Sequence, residues 1–283
     1  MSRRPTFDLQ SHSTCSDGAL APAAVIAAAH AAGVELLALT DHDTVDGVDE
    51  ALEAAAARGL GLVTATELSA IDGEREDLHV LGYLVDHRAG ALLEALERFR
   101  ADRAARAVRM ADALRECGLE LDLPRRETIG RPHLAQAAFD HPANRMRLED
   151  EGLVNSSQLL VAYLIPGAPA FRRRTTPTVY EAIALIHEVG GVAVWAHPFW
   201  DVKDPDEVLA TVERFRAEGL DGVEVFYVAH DEAQTRLLAA HCEANGLLST
   251  GSADFHGPQH PRFNRFRNFE LHGLQPRLGP IGR

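Results

Sequence analysis

The sequence predicts an α/β protein: seven strands in a parallel, barrel-type sheet, interrupted by a helical insertion. Three observations carry this. Short apolar runs alternate with alanine-rich helical stretches over the first ninety residues. The rhythm stops between about Ala89 and Arg174, then resumes. Alternation of this kind marks βαβ units, whose crossover helices make neighbouring strands parallel. Finally, 283 residues are about two average domains or one large α/β barrel.

Residues 7–9 are the first strand candidate. Residues 21–32 read as a helix: alanine dominates, Pro22 sits in the first turn where a missing N–H costs little, and Gly33 follows the last turn. Residues 36–40 are a buried type of strand, 48–58 a helix stopped by Gly59, and 62–66 and 78–83 two more strands. One long helical pattern covers 89–117 and ends at Gly118; shorter pieces follow at 132–139, 143–151 and 155–164. Pro166, Gly167 and Pro169 mark a return loop. Then come helix 179–189, strand 192–196, helix 205–218, strand 222–226, helix 231–245 and strand 247–250. The expected organisation is a barrel domain from 1–88 and 175–283, with a helical cap over 89–174.

Composition narrows the function. Hydrophobic residues make up 46% and charged residues 25%, so the chain buries its own core without staples. No run approaches the roughly 18 apolar residues of a membrane helix. The start shows no signal-peptide pattern. Cys15, Cys117 and Cys242 lie far apart with no CxxC spacing, which argues against a disulfide framework or a thiolate zinc site. A cytoplasmic location is expected. Twenty-eight basic residues face 42 acidic ones, a net −14, which opposes stable duplex nucleic-acid binding. A small phosphorylated substrate remains compatible, because bound metal ions reverse the local sign. Lys203 is the only lysine, so any buried-lysine mechanism has one candidate.

The strand ends carry the chemistry. The first strand runs into Gln10 and His12, with Asp17 soon after. The second runs into Asp41, His42 and Asp43, the third reaches Glu67, and the fourth contains His79. The fifth leads to His197, the sixth through Glu224 toward His230, and the seventh to Asp254 and His256. Catalytic groups of α/β barrels sit at the C-terminal strand ends. One strand-end histidine is unremarkable, but seven coincidences in register mark a site. Imidazole with carboxylate is the ligand mix of zinc, manganese and iron. The set suffices for two or three ions, with a carboxylate such as Glu67 bridging, an arrangement suited to phosphoryl transfer.

These segments resemble the PHP family, named for polymerase and histidinol phosphatase. The matching pieces are 8–18 (DLQSHSTCSDG), 39–44 (LTDHDT), 67–69 (ELS), 79–83 (HVLGY), 196–198 (AHP) and 251–257 (GSADFHG). The resemblance implies a distorted (β/α)7 TIM-like barrel and a cluster of two or three divalent ions, Mn2+, Zn2+ or Fe2+. Carried over by position, it implies a first metal position using residue 10, His12, Glu67 and Asp254. A second would use Glu67, His79 and His197, and a third Asp17, His42 and His256. One departure stands out: the family opens His-x-His, and this chain has Gln10-Ser11-His12. Two roles are open to Gln10, a weaker and harder carbonyl ligand or a nearby hydrogen bond.

Within the insertion, 103–110 (RAARAVRM), 130–133 (GRPH) and 163–169 (YLIPGAP) resemble the PHP phosphoesterases that act on nucleotides, including nucleoside 3',5'-bisphosphates and short oligonucleotides. Arg131 and His133 are the phosphate-binding candidates, guanidinium being suited to bidentate contacts. Arg103, Arg106 and Arg109 wrap around their helix; they are either solvated or bind substrate. Arg172, Arg173 and Arg174 form another possible phosphate patch. The catalytic candidates are Asp17, His42, Glu67 and His230, the last either a proton donor and phosphate contact or a helix-start residue. Asp41 and Asp43 flank His42 and could orient it. Trp195 and Trp200 read as packing residues. The leading function is a metal-dependent phosphoesterase acting on small nucleotides or oligonucleotide 5' ends through hydroxide attack on phosphorus. The alternatives are a histidinol-phosphate-like phosphomonoesterase, an amidohydrolase, which Lys203 disfavours by lying in a polar loop, and an inactive metal-binding module.

Overall fold

A computed structural model describes residues 5–123, 129–175 and 177–283. The seven strands are β1 (Phe7–Asp8), β2 (Leu36–Leu39), β3 (Gly61–Asp72), β4 (Arg75–Tyr83), β5 (Val192–Trp195), β6 (Gly222–Tyr227) and β7 (Leu248–Ser252). They pair in chain order, β1 to β7. Leu9 N donates to Gly251 O (3.1 Å) and His12 N to Phe255 O (2.8 Å), joining the two ends of the sheet into a nearly closed barrel. The helices of this unit are α1 (Pro22–Ala31) and α2 (Val48–Ala56) before the insertion, and α7 (Val179–Glu188), α8 (Pro198–Asp201), α9 (Pro205–Ala217) and α10 (Glu232–Asn245) after it.

The sheet is not wholly parallel as expected. β3 and β4 form an antiparallel hairpin, with Ser69 opposite His79, and β4 is also antiparallel to β5. The residues between these two strands are too few for a crossover, which takes a dozen or more. Gly73, at φ 59°, makes the turn instead. Reversal has a consequence for the site. The early part of β4 lies at the same end as the C-termini of the parallel strands, and His79 enters the site from the middle of its strand.

The sequence reasons for these elements are local. Val25, Ile26 and Ala29 of α1 pack with Leu37, Leu39, Ala51, Ala55 and Phe255. Thr178 and Glu181 form a reciprocal capping box on α7, and Asp231 with Gln234 does so on α10. Gly246, at φ 72°, closes α10.

The chain divides into two compact units, Met1–Leu96 with Pro177–Arg283, and Glu97–Thr176. The boundary falls inside the long helix α3 (Gly90–Glu116) rather than at its start. The second unit contains the rest of α3, α4 (Arg131–Asp140), α5 (Arg145–Asp150) and α6 (Ser156–Tyr163). Its own core is built from Met110, Leu114, Leu134, Leu148, Leu159 and Leu164. No helix among the described residues is long and apolar enough to cross a membrane.

Candidate metal centre

The loop after β1 is folded by buried hydrogen bonds. Asp8 accepts from Ala253 N (2.9 Å) and Arg267 N (2.7 Å), tying the strand to the segment after β7. Ser11 Oγ donates to Ala38 O (2.8 Å). Asp41 accepts from Ser13 N (2.7 Å), Ser13 Oγ (2.6 Å) and Ser16 Oγ (2.6 Å), so the loop curls back at Asp17. Gly18 is required there: a Cβ would lie 2.2 Å from the His12 carbonyl oxygen. Asp43 Oδ1 accepts from Ser69 N (2.9 Å), fixing the second strand end to the third. Asp41 and Asp43 therefore hold loops through Ser13, Ser16 and Ser69. Asp43, His197 and Asp254 all have positive φ (51°, 31° and 53°). Such strain costs on the order of 1–3 kcal/mol each and persists where surrounding structure enforces it.

These loops converge the predicted groups. Glu67 Oε1 lies 2.9 Å from His79 Nδ1 and 3.3 Å from His197 Nε2, and those two nitrogens are 3.2 Å apart. Glu67 Oε2 lies 3.1 Å from His12 Nε2, which is 3.2 Å from Asp254 Oδ1. Asp17 lies 3.6 Å from His42 Nε2 and 3.5 Å from His256 Nε2. Donors around a tetrahedral cation with bonds of 2.0–2.2 Å are separated by about 3.4 Å. The observed spacings match that separation. By mutual proximity, His12, Asp17, His42 and His256 form one group and His42, Glu67 and His79 another. This differs from the carried-over grouping in adding His12 to the third position and His42 to the second. His12 explains part of it, since its Nδ1 faces Asp17 (3.6 Å) while its Nε2 faces Glu67 and Asp254.

The donor set fits cations. His12 Nδ1 and Nε2, His42 Nδ1, His197 Nδ1 and Asp254 Oδ1 are buried without a hydrogen-bond partner, although carboxylates stand near several of them. Buried polar atoms without partners are rare and mark ligand positions. Burial would push Glu67 up, but His42, His79, His12 and His197 hold it well below the ordinary carboxylate range. Burial pushes His42 down to about 4, which keeps it neutral and able to ligate. The site opens into a cavity of about 140 Å3. Neither lysine nor arginine lines it among the described residues. A phosphoryl group entering beside Glu67 and Asp254 therefore needs metal charge to be bound.

Other sequence candidates are placed differently. Gln10 donates from Nε2 to Glu67 Oε2 (3.0 Å) and accepts at Oε1 from Ser252 Oγ (3.3 Å). In this arrangement its amide bonds Glu67 and Ser252, the hydrogen-bonding role of the two read from its position. His230 stands just ahead of α10. Its Nδ1 bonds the Val225 carbonyl (3.0 Å), its ring packs on Phe199 and Tyr227, and burial pushes it down to about 4. A largely neutral imidazole keeps one N–H, here facing the Val225 carbonyl. Arg106, read as solvated or substrate-binding, is buried, with Nε donating to Arg172 O (2.7 Å) and its guanidinium over Phe171. His133 Nδ1 accepts from Gly130 N (3.0 Å) at the start of α4, where Arg131 is the first residue. Arg173 is exposed. Lys203 Nζ donates to Phe199 O (2.8 Å) and Trp200 O (2.5 Å), capping α8.

Tyr227 and Phe263 carried no strand-end signal, and Glu224 was read only on the way to His230. Tyr227 donates its hydroxyl to Asp254 Oδ2 (2.9 Å). Glu224 accepts from His197 N (2.9 Å) and Ser252 Oγ (2.6 Å), and burial pushes it well above the usual carboxylate range. Phe263 lines the cavity from the C-terminal stretch, whose irregular composition gave no reason to place it there. Glu224 stands on a strand that is buried along its whole length.

Comparison with known proteins agrees with this geometry. Residues 8–152 match the PHP domain family. The chain is 33% identical over 262 residues to a 3',5'-nucleoside bisphosphate phosphatase of Chromobacterium violaceum, covering 89% of this chain and 87% of that one. It is 31% identical over 252 residues to a 5'-3' exoribonuclease of Haemophilus influenzae, covering 89% and 90%. The crystal structure of a putative metal-dependent phosphoesterase from Bifidobacterium adolescentis superposes with a TM-score of 0.74 at 26% identity over the full length of both chains. With the barrel, the strand-end ligand set and these likenesses together, the chain belongs to the PHP domain family and is a metal-dependent hydrolase of phosphoric esters.

Proposed function

We propose that this enzyme hydrolyses phosphate monoesters of small nucleotides, nucleoside 3',5'-bisphosphates or mononucleotides, and removes nucleotides from the 5' end of short oligonucleotides. The observation that carries the reading is the cluster itself: eight histidine and carboxylate side chains, on or just beyond six strands, converge at metal-ligand spacing. The substrates named for the relatives support the nucleotide class. Two or three divalent ions, Mn2+, Zn2+ or Fe2+, would be held by His12, Asp17, His42, Glu67, His79, His197, Asp254 and His256. Such ions polarise phosphoryl oxygens and activate water at neutral pH.

The chain's residues have distinct roles. Glu67 offers one oxygen toward His79 and His197 and the other toward His12. It is the natural bridge, and Gln10 holds its second oxygen. Tyr227 fixes Asp254, and Asp41 fixes the loop that presents Asp17. Arg131 and Arg173 of the helical unit are proposed to contact a second phosphate. Lys203, committed to the α8 carbonyls, is not available as a bridging lysine, which disfavours amide hydrolysis.

The test is a substrate panel run on protein prepared without chelator, with divalent content measured and manganese added. Hydrolysis of nucleotides by protein carrying about two or more ions is expected. Preference for a small amino-alcohol phosphate would favour the histidinol-phosphate-like alternative. Activity on amides alone would sink the reading, as would full activity without metal. Metal content without any hydrolysis would identify an inactive binding module.

A further inference from the structure

The cavity at the centre is small. About 140 Å3 lies well below the roughly 300–1,000 Å3 that encloses a drug-sized ligand. It admits a phosphoryl group and little more, so the rest of a nucleotide must lie outside, at the mouth. What stands there is aromatic. Trp200, on the short helix immediately after His197, lines the same cavity as the ligands and is 43% exposed. Its ring lies 5.8 Å from Phe263 and 6.5 Å from Tyr227. The Arg262 guanidinium rests 5.4 Å from its centroid. Arg262 is exposed and makes no ion pair among the described residues. The other tryptophan contrasts with it. Trp195 is fully buried against Phe215 and is a core residue, as expected.

We propose that Trp200 is the specificity platform of this enzyme: it stacks the nucleobase of the substrate while the phosphate occupies the metal centre, with Arg262 supplying the adjoining cation. The proposal rests on the nucleotide reading above and adds which atoms recognise the base. Stacking suits this task because every base presents a π face, so one aromatic ring accepts several nucleotides without hydrogen-bond readout. An arginine against the same ring adds a cation–π contact and a charge for a second phosphate or a base edge. Placement next to His197 couples the platform to the centre, so base and scissile phosphate are held in one register.

The experiment compares adenosine 3',5'-bisphosphate with ribose 5-phosphate, which lacks a base, on the metal-loaded enzyme. Trp200→Ala should raise KM for the nucleotide about 5- to 150-fold, leaving kcat and metal content near wild type and the ribose phosphate unaffected. Trp200→Phe should restore most of the loss. Fluorescence gives a readout independent of turnover. In a Trp195→Phe background, Trp200 is the only tryptophan, and adenosine 5'-monophosphate should quench it where ribose 5-phosphate does not. Equal losses on both substrates, or no quenching by the nucleotide, would overturn the platform. An enzyme that hydrolyses neither substrate would instead remove the nucleotide reading beneath it.

Discussion

In the barrel unit, buried polar atoms gather at the strand ends and leave their capacity unused: both nitrogens of His12 and Oδ1 of Asp254 lack hydrogen-bond partners. In the helical unit, several buried or half-buried polar groups are tied into the framework. Asn144 donates to Glu120 O (2.7 Å) and Ala138 O (2.6 Å) while accepting from Glu120 N (2.8 Å). Arg147 holds Glu151 (2.7 Å) and the Tyr163 hydroxyl (3.0 Å). Arg106 bonds the Arg172 carbonyl. The difference teaches how to separate a framework from a site. A buried group whose bonds close within the chain is stabilising structure. Several buried groups that face each other at metal spacing, with bonds unmade, are placed for something the chain does not contain.

The sharpest attack on that comparison is Glu67→Ala. Removing the shared carboxylate should lower activity on the order of a thousandfold or more, several kcal/mol of lost charge stabilisation, and reduce the bound metal. Metal analysis and kcat together check it; unchanged metal content would remove Glu67 from the bridge. Next is Gln10→His. An imidazole in place of an amide that bonds Glu67 should tighten metal binding about 10- to 100-fold, the range typical of changes around a metal's ligands. Identical titrations of the two proteins would show that residue 10 stays outside the ligand set.

Arg106→Ala probes the other side. If its bond to Arg172 O is framework, the variant should lose about 1.5–3 kcal/mol of stability, seen in chemical denaturation, with KM unchanged. A raised KM with unchanged stability would make Arg106 a substrate contact after all. The smallest effect concerns Glu151. Burial pushes its carboxyl up, but Tyr163 and Arg147 outweigh this and hold it below its ordinary value. A depressed folded-state pKa adds stability above the ordinary carboxylate range, and that stability is lost as pH falls through the folded value. Because the group is partly exposed, the contribution is about 0.2–1 kcal/mol. Tyr163→Phe should flatten the acid-side slope of unfolding free energy; an unchanged slope would show the triad to be inert.

Much of this molecule was legible in its sequence, for a physical reason. Strand and helix periodicity report which faces are buried, and that reports element type. Periodicity placed all seven strands, and strand-end position singled out His12, His42, Glu67, His197, Asp254 and His256. Glycine and proline marked the turns because they alone relax or fix the backbone there. Gln10 was visible as a departure at a motif position.

Only tertiary structure decided the rest. The direction of β4 depends on a turn at Gly73 rather than on the apolar pattern, which reads the same in either direction. His79 reaches the site only because of that reversal. Tyr227 and Glu224 act through partners 27 or 28 residues away, and no local pattern encodes such a pairing. Trp195 and Trp200 looked alike in sequence, yet one is sealed in the core and the other stands at the mouth of the centre. Composition and spacing determine what a residue can do. Which groups are brought within 3–4 Å of it, and whether water still reaches it, is settled only when distant segments pack.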